Sequence, residues 1–413
     1  MVVRARWSRL LRGGVSLPLF ALSLALSLAV SLTSWGQAGP SSPAGARWGL
    51  DALASFRALD AERASVRLQI MATVVDEAVE SAAWPTLRYH VGDEYLYPAS
   101  AVKHLAVFAM FSLWPSLAPD DELRIHEAPP PSLTDDELRA FRGRVVRTVR
   151  VDDVVRAALV TSENDAYNRV VDVVGHEALN RWLWDAGLRS SRLRHRLFAF
   201  VPDSIQRMSP AVEVVRSGSV VEALEARRSG LVFPSEDPTE VLVGDAWVDE
   251  ETRAVVRSPM NFADKNAVPI EDLHRAMLGF AYPGSSGSAS IALPTGARDY
   301  LIGVMSTRPE GRPDRGFVER ADRYKPLLPG LRRAGISDRV TYVSKGGRAY
   351  GFHTETAWVR DPSTRRAVVL TVGLYVNPNG VLNDDRYDYP RSYALFSELG
   401  VWIASLLSGR DSL

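Results

Sequence analysis

The stretch that decides the fold is residues 97–111, "YPASAVKHLAVFAMF", in which a serine and a lysine stand three positions apart. From Ser100 onward the run is apolar and too long for one strand, so it predicts a buried helix that Pro115 ends. On a helix, Ser100 and Lys103 share one face, one turn apart. A desolvated lysine there can accept the proton of a serine hydroxyl, which is otherwise a poor nucleophile.

The lysine is informative because the chain uses arginine for nearly every positive charge. Of 49 Lys plus Arg, only four are lysines, namely Lys103, Lys265, Lys325 and Lys345. Arg stays protonated, whereas a buried Lys can have its pKa lowered into the working range. Lys103 therefore predicts a position that needs a titratable amine. The alternative is a capping serine beside a solvated lysine, since S-x-x-K alone is common by chance.

Length and composition permit one large domain or two smaller ones and exclude several kinds of chemistry. The chain has 413 residues, is 46% hydrophobic and carries no formal net charge, so no nucleic-acid partner is expected. It has no cysteine, which excludes disulfides, thiolate metal sites and a Cys nucleophile. The histidines show no metal-ligand spacing, so neither a metal nor another cofactor is expected. His104 is predicted to be a packing residue, and His353 could line a cleft.

The N-terminus has the pattern of an export signal over residues 1–38. Four arginines precede an uncharged apolar run at 15–35, and small residues follow at 36–38. The pattern is typical of a signal peptide, although the run is long enough to stay as a membrane anchor. Either way, the rest of the chain is predicted to be exported, periplasmic or secreted. Residues 39–64 supply a linker and a leading helix, and 65–413 form one domain.

Strand patterns lie at both ends of that domain, and helical patterns lie between them. The β-rich stretches are 65–75, 86–91, 339–347, 353–360 and 366–377; the helical ones are 100–114, 152–175, 177–187, 269–284 and 393–409, with a loop and a capped helix at 120–141. We predict an α/β fold whose antiparallel sheet is formed by both termini and flanked by helices, with an all-helical subdomain inserted. Residues 228–264 carry no readable pattern.

Two further motifs hold residue types that suit the same chemistry. "TSENDAYN" carries Ser162, Asn164 and Asn168, which are poor helix-interior residues. They either cap and turn the chain, or point a hydroxyl and amides into a cleft. "VSKGGRAYG" places Lys345 on a β-rich run before two glycines that permit close backbone approach, unless the pair only forms a turn.

In the order S-x-x-K, S-x-N and K-x-G, these motifs resemble the penicillin-recognising serine hydrolases, and most of all the class A β-lactamases, over roughly residues 65–407. "AVPIEDLHRAM" resembles that family's T-P-x-D-M helix, with Val268 and Leu273 as departures. The resemblance implies a β-lactamase/transpeptidase-like fold and acyl transfer on an amide or β-lactam carbonyl through a Ser100 acyl-enzyme. The expected substrate is a small-molecule or peptidoglycan-like acyl donor, and the expected state is a monomer.

The resemblance also implies roles for particular residues. The implied catalytic residues are Ser100, Lys103, Ser162 and Lys345, and the implied substrate-binding residues are Asn164, Asn168, Gly347 and Arg348. The backbone N–H groups of Ser100 and Arg348 would form an oxyanion hole. Asn164 would orient Lys103 and hold a substrate amide.

Two departures from the family pattern concern the chemistry. Gly346 stands where a Ser or Thr would help bind a substrate carboxylate. Leu197 stands where a deacylating Glu is expected, with Asp203 and Glu213 as the nearest carboxylates, while Glu177 is interpreted as a surface residue. An acyl-enzyme should then form but turn over slowly, by roughly two to four orders of magnitude. A penicillin-binding peptidase, an esterase-like hydrolase, a poorly catalytic β-lactam binder and a non-catalytic cell-wall-binding module all remain open.

Overall fold

Strands and helices alternate along the parts of the chain that the computed structural model describes, which are residues 47–199, 201–233, 241–309 and 321–409. The strands are β1 (Gln69–Asp76), β2 (Thr86–Tyr89), β3 (Glu122–His126), β4 (Val145–Arg150), β5 (Met208–Ser209), β6 (Val212–Arg216), β7 (Ser219–Leu224), β8 (Arg227–Arg228), β9 (Leu242–Val243), β10 (Ala246–Val248), β11 (Val255–Val256), β12 (Met260–Asn261), β13 (Thr341–Ala349), β14 (Phe352–Asp361), β15 (Arg366–Tyr375) and β16 (Val381–Leu382). The α-helices are α1 (Ala54–Asp60), α2 (Arg63–Val66), α3 (Lys103–Leu113), α4 (Asp135–Ala140), α5 (Val151–Leu159), α6 (Asn164–Val174), α7 (His176–Asp185), α8 (Asp203–Gln206), α9 (Ile270–Ala281), α10 (Thr295–Ser306), α11 (Ala321–Tyr324), α12 (Leu328–Arg333) and α13 (Tyr389–Ser408). Short 3-10 helices occupy Leu50–Ala52, Ser81–Ala83 and Ala99–Val102.

The central sheet joins both ends of the described chain. Its strand order is β13-β14-β15-β1-β2, and every neighbouring pair is antiparallel. This confirms the predicted sheet from both termini. The first strand begins later than predicted, at Gln69, because residues 63–66 are helical and Arg67 has a left-handed backbone with φ 48°.

Both faces of this sheet are covered by helices, which explains the unbroken apolar run of β15. Val369 packs into a core shared with α3, α5, α6 and α9, whereas Val368 and Leu370 pack into a second core with α1, α12 and α13. Successive strand residues point to opposite faces, so a strand buried on both sides needs an apolar residue at every position. Each such side chain, once buried, contributes about 1.5–3 kcal/mol.

The insertion between β2 and β13 contains the predicted helices, but it is not all-helical. It also holds an antiparallel sheet in the order β4-β3-β6-β7. In β3, Leu123 and Ile125 are buried and alternate with Glu122 and Arg124, which are not. The sequence analysis predicted a loop here, because only two buried apolar residues alternate with the charged ones, which is too short a pattern to indicate a strand.

Other boundaries differ from the prediction in ways that bear on the site. The stretch 152–175 forms two helices, α5 and α6, with a break over residues 160–163. The helix α10 was not predicted, and α13 begins at Tyr389, four residues early. Helix α4 has the predicted cap, because Thr134 and Glu137 form a capping box. The segment 228–264, in which the sequence predicted no element, contains the end of β8 and the strands β9 to β12 among its described residues.

The predicted signal peptide or anchor, residues 1–38, lies outside the described residues. None of the helices within the described ranges has the length and apolar character that crossing a membrane requires.

Candidate active site

Ser100 lies in the 3-10 turn Ala99–Val102, directly ahead of α3, as the sequence predicted. The preceding Ala99 has a left-handed backbone with φ 47°, which is costly for a residue with a side chain. Strand β13 approaches this turn closely: a Cβ on Gly347 would stand 2.4 Å from the backbone nitrogen of Ser100. Only a glycine permits that approach, so Gly347 brings the two backbone segments of the predicted oxyanion hole together.

Lys103 is completely buried in the first turn of α3. Its Nζ donates to the backbone oxygen of Ser162, to the Ser162 Oγ at 3.3 Å and to Asn164 Oδ1 at 2.8 Å. Burial, helped by the nearby Lys345 ammonium, lowers the pKa of Lys103 to about 6. The lowered pKa favours the neutral amine that a proton acceptor requires; this form has two N–H bonds, so it cannot donate to all three of these oxygens at once.

The break between α5 and α6 presents Ser162 and Asn164 to Lys103. Ser162 has a left-handed backbone with φ 59°. The Thr161 hydroxyl and the Glu163 backbone N–H both bond back to Ala157 O, at 3.0 and 2.8 Å, which holds the turn. The two sequence alternatives are thus both realised, because the segment turns the chain and also points a hydroxyl and an amide at the amine.

Lys345 approaches the same hydroxyl from β13. Its Nζ donates to Ser162 Oγ at 2.9 Å and to the backbone oxygen of Gly346 at 2.6 Å. Burial lowers the pKa of Lys345 to about 7, although the charge of Glu355 works against that shift. One hydroxyl therefore bridges two amines whose pKa values are lowered by burial.

These residues surround a cleft of about 210 Å³. Its lining residues are Ser100, Leu159, Thr161, Ser162, Asn164, Arg323, Tyr324, Lys345, Gly346, Gly347, Arg348, His353 and Glu355. The predicted residues Ser100, Ser162, Asn164, Lys345, Gly347 and Arg348 are thus brought together, with Lys103 buried behind them.

Asn168, predicted to bind substrate, does not line the cleft. It instead exchanges two hydrogen bonds with the backbone of Leu197, which it contacts through Nδ2 at 2.9 Å and Oδ1 at 2.8 Å. Leu197 is buried in the helical core. Asn168 therefore fixes the loop that carries Leu197, because its amide satisfies both polar groups of that residue's backbone.

The carboxylates considered as substitutes for the missing Glu also lie away from the cleft lining. Asp203 pairs with Arg207 at 2.5 Å, and Glu213 lies on β6 within 3.8 Å of Arg124. Glu177, predicted to be a surface helix residue, is half-exposed on α7, where it accepts hydrogen bonds from Arg181 and from the backbone N–H of Gly230.

Sequence reasoning missed five lining residues, which are Leu159, Thr161, Arg323, Tyr324 and Glu355. It raised His353 as an option, and this residue does line the cleft, where Nδ1 contacts Ser392 Oγ at 2.6 Å. His104 is fully buried with its ring 5.2 Å from that of Phe108, so it packs as predicted.

Glu355 stands opposite Gly346 in the ladder between β13 and β14. A Cβ on Gly346 would lie 2.3 Å from Glu355 Oε2, so a Ser or Thr there would collide with the carboxyl group. The Tyr342 hydroxyl donates to Oε1 at 2.9 Å, and the buried Lys325 donates to Ser344 Oγ at 3.2 Å. The glycine at position 346, where the family has Ser or Thr, therefore leaves the space that the Glu355 carboxyl group occupies.

Groups of acidic and histidine side chains suited to a metal ion do not occur among the described residues.

Comparisons with known proteins found the following similarities. The sequence model of the family described as "Beta-lactamase enzyme family" matches residues 86–225. Among solved structures, a β-lactamase from Burkholderia vietnamiensis is 18% identical, with 85% of this chain and 96% of that one covered and a TM-score of 0.46. A β-lactamase from Desulfarculus baarsii is 17% identical, over 84% and 97%, with a TM-score of 0.46. PBP-A is 15% identical, over 83% and 91%, with a TM-score of 0.43. No curated protein matches.

The matched residues run from β2 to β7 and include Ser100, Lys103, Ser162 and Asn164. Together with the antiparallel sheet from both termini, they give an α/β fold similar to that of the penicillin-recognising serine hydrolases. The fold is similar to that of the class A β-lactamase-like serine hydrolases.

Proposed function

We propose that this chain is an exported serine hydrolase that acylates Ser100 with an amide or β-lactam carbonyl. The observation that carries the proposal is Lys103, a buried amine whose pKa is lowered to about 6 and which is bonded to Ser162 and Asn164. Keeping a lysine desolvated costs stability, so its retention in an arginine-rich chain favours a chemical role over a vestigial one.

In the proposed reaction the Ser100 hydroxyl attacks the carbonyl carbon while its proton passes to neutral Lys103. The negative oxygen of the tetrahedral adduct is stabilised by backbone N–H groups at Ser100 and Arg348. The bond to the leaving nitrogen then breaks, and Ser162 delivers a proton to that nitrogen while Lys345 or Lys103 reprotonates Ser162. Water later cleaves the ester of Ser100.

The second candidate is a slowly deacylating penicillin-binding or cell-wall-binding protein. It is favoured by the lining of the cleft, in which no described residue of the loop around Leu197 places a carboxylate. Without a positioned base the water step is slowed, while acylation remains intact. Both candidates share the Ser100 acyl-enzyme and differ only in its lifetime. The export signal suits either one, since extracellular cell-wall peptides are substrates of this chemical type.

The test is intact-mass spectrometry of the protein after incubation with benzylpenicillin and with a simple thioester. We expect a single acyl adduct that digestion locates on Ser100, and its decay gives the deacylation rate. The Ser100→Ala variant is the control. An unmodified wild-type protein, or an adduct that persists in the variant, would contradict the proposal.

A further inference from the structure

The hairpin between β13 and β14 presents one of the two proposed oxyanion donors. Its two turn residues, Tyr350 and Gly351, have φ values of 55° and 84°. In a two-residue hairpin the strand pair beside the turn exchanges backbone hydrogen bonds and the next pair does not, and that next pair is Arg348 with His353. Because β13 is an outer strand of its sheet, the backbone N–H of Arg348 therefore points outward, at an edge that lines the cleft.

One face of the first turn of α13 contacts this hairpin. Tyr389, Ser392 and Tyr393 stand at positions i, i+3 and i+4 of the helix, so their side chains point the same way. The Tyr389 hydroxyl accepts the backbone N–H of Gly351 at 3.2 Å. The Arg348 guanidinium lies 5.3 Å from the ring centre of Tyr389 and 5.5 Å from that of Tyr393, within the range of cation–π attraction. Two aromatic rings of α13 therefore hold the side chain of Arg348.

The cross-strand partner of Arg348 is attached to the same helix. The Ser392 hydroxyl donates to the backbone oxygen of Tyr389 at 2.8 Å, so its oxygen accepts the Nδ1–H of His353 at 2.6 Å. The His353 ring also packs edge-on against the Tyr393 ring, with 5.0 Å between the ring centres. Both members of the strand pair that presents the N–H are thus fixed to α13.

The position of this N–H depends on α13 because the sheet supports it from one side only. In the described part of the chain, β13 pairs with β14 and has no strand on its other side. An oxyanion donor works when it lies about 2.7–3.1 Å from the developing charge, and a displacement of about 1 Å can slow a reaction by about a hundredfold. Whatever holds the tip of the hairpin therefore bears on the rate of acylation.

We propose that Tyr389, Ser392 and Tyr393 are positioning residues, which hold the β13–β14 hairpin so that the backbone N–H of Arg348 meets the oxyanion formed at Ser100. This rests on the proposed function, because it concerns the acylation of Ser100. The three side chains make or break no covalent bond and move no proton. The Arg348 side chain acts here as the tether to α13, and not as a substrate ligand.

The first test separates substrate binding from acylation, by stopped-flow kinetics with benzylpenicillin. Tyr389→Leu removes both the bond to Gly351 and the ring beside Arg348. The acylation rate constant should then fall by roughly ten- to a hundredfold, while the dissociation constant of the non-covalent complex stays level. Tyr389→Phe keeps the ring and should lose clearly less. Tyr300→Phe is the matched control, because it removes a hydroxyl that donates to Asp152 at 2.8 Å outside the cleft lining, and it should behave as wild type.

The second test reports on the hydrogen bond to the oxyanion position itself. The acyl-enzyme is formed from benzylpenicillin labelled with carbon-13 at the β-lactam carbonyl, and infrared spectroscopy records the stretch of its ester carbonyl, which hydrogen bonding lowers. In Tyr389→Leu and in Arg348→Met the band should shift to higher frequency, since each change cuts the same tether. The double variant Arg348→Met/Tyr393→Leu should lose less acylation than its two single changes would together predict.

Three outcomes of these tests would overturn the proposal. Slower acylation with an unchanged carbonyl band would mean that the variants loosen the fold in general. Weaker binding with an unchanged acylation rate constant would make the Arg348 side chain a substrate ligand. Unchanged values of both constants in Tyr389→Leu would show that α13 does not set the position of the donor.

A third measurement does not depend on acylation. Hydrogen exchange followed by mass spectrometry should be faster in residues 345–352 of Tyr389→Leu than of wild type, and unchanged there in Tyr300→Phe. Equal exchange in Tyr389→Leu and wild type, or an increase of the same size throughout the sheet, contradicts the proposal. If benzylpenicillin labels no wild-type protein, the proposed function fails, and hydrogen exchange alone decides whether α13 holds the hairpin.

Discussion

Replacing Lys103 by Met should abolish acylation and change how stability depends on pH. Lys103 is fully buried with its pKa lowered from 10.5 to about 6. Between those two values the unfolded chain binds a proton that the folded protein does not, so wild-type stability rises with pH. A methionine side chain has no proton to bind, and the Lys103→Met variant therefore lacks this slope.

The size of the effect follows from the two pKa values, at about 1.4 kcal/mol per pKa unit. Holding the amine neutral costs the folded wild-type protein about 5 kcal/mol at pH 6.5 and about 1 kcal/mol at pH 9.5. The difference in unfolding free energy, Lys103→Met minus wild type, should thus grow by about 4 kcal/mol as the pH falls over that range. Lost hydrogen bonds to Ser162 and Asn164 add an offset to this difference at each pH.

Urea unfolding of both proteins at four pH values across this range provides the measurement. Because the two proteins share every other titrating group, those groups largely cancel in the difference. A difference that does not change with pH would show that Lys103 keeps an ordinary pKa, and the proton-transfer role assigned to it would fail.

Three further outcomes are expected. Lys103→Arg keeps the charge but cannot accept a proton, so acylation should fall below about a tenth of the wild-type rate in a stopped-flow labelling assay. A chromogenic β-lactam should give a stoichiometric burst and then turnover several orders of magnitude slower; a linear trace of roughly tens of turnovers per second would show that another group activates the water. Gly346→Ser should lower the thermal unfolding temperature, since its Cβ meets Glu355 Oε2. The same change in a Glu355→Ala background should cost clearly less, and equal costs would refute the coupling.

The parts of the site that could be predicted are those set by local spacing. Ser100 and Lys103 are one helical turn apart wherever the helix lies, and the rarity of lysine marked Lys345 before any contact was known. The five-stranded sheet was likewise readable from apolar β-rich runs at both ends of the domain.

The parts that could not be predicted depend on pairing between distant segments. Asn168 lies four residues after Asn164, on the same face of α6 but one turn further along, where it meets the Leu197 loop instead of the cleft. Glu355 reads as one polar residue in a strand until the register places it opposite Gly346. A sequence signal for the surroundings of Glu355 did exist, since Lys325 was also one of the four lysines.

The rarity of lysine in this chain has a practical consequence for covalent probes that react with amines. Burial lowers the pKa of all four lysines, Lys103, Lys265, Lys325 and Lys345. Lys345 is the one among them that lines the cleft. An amine-selective electrophile applied to the folded protein therefore meets no fully exposed lysine side chain: Lys265 is half-buried, and Lys345 stands beside Ser162 in the cleft. Lysine-directed reagents, which modify many surface positions on most proteins, should here react chiefly at Lys265 and Lys345, and the second of these reports on the cleft.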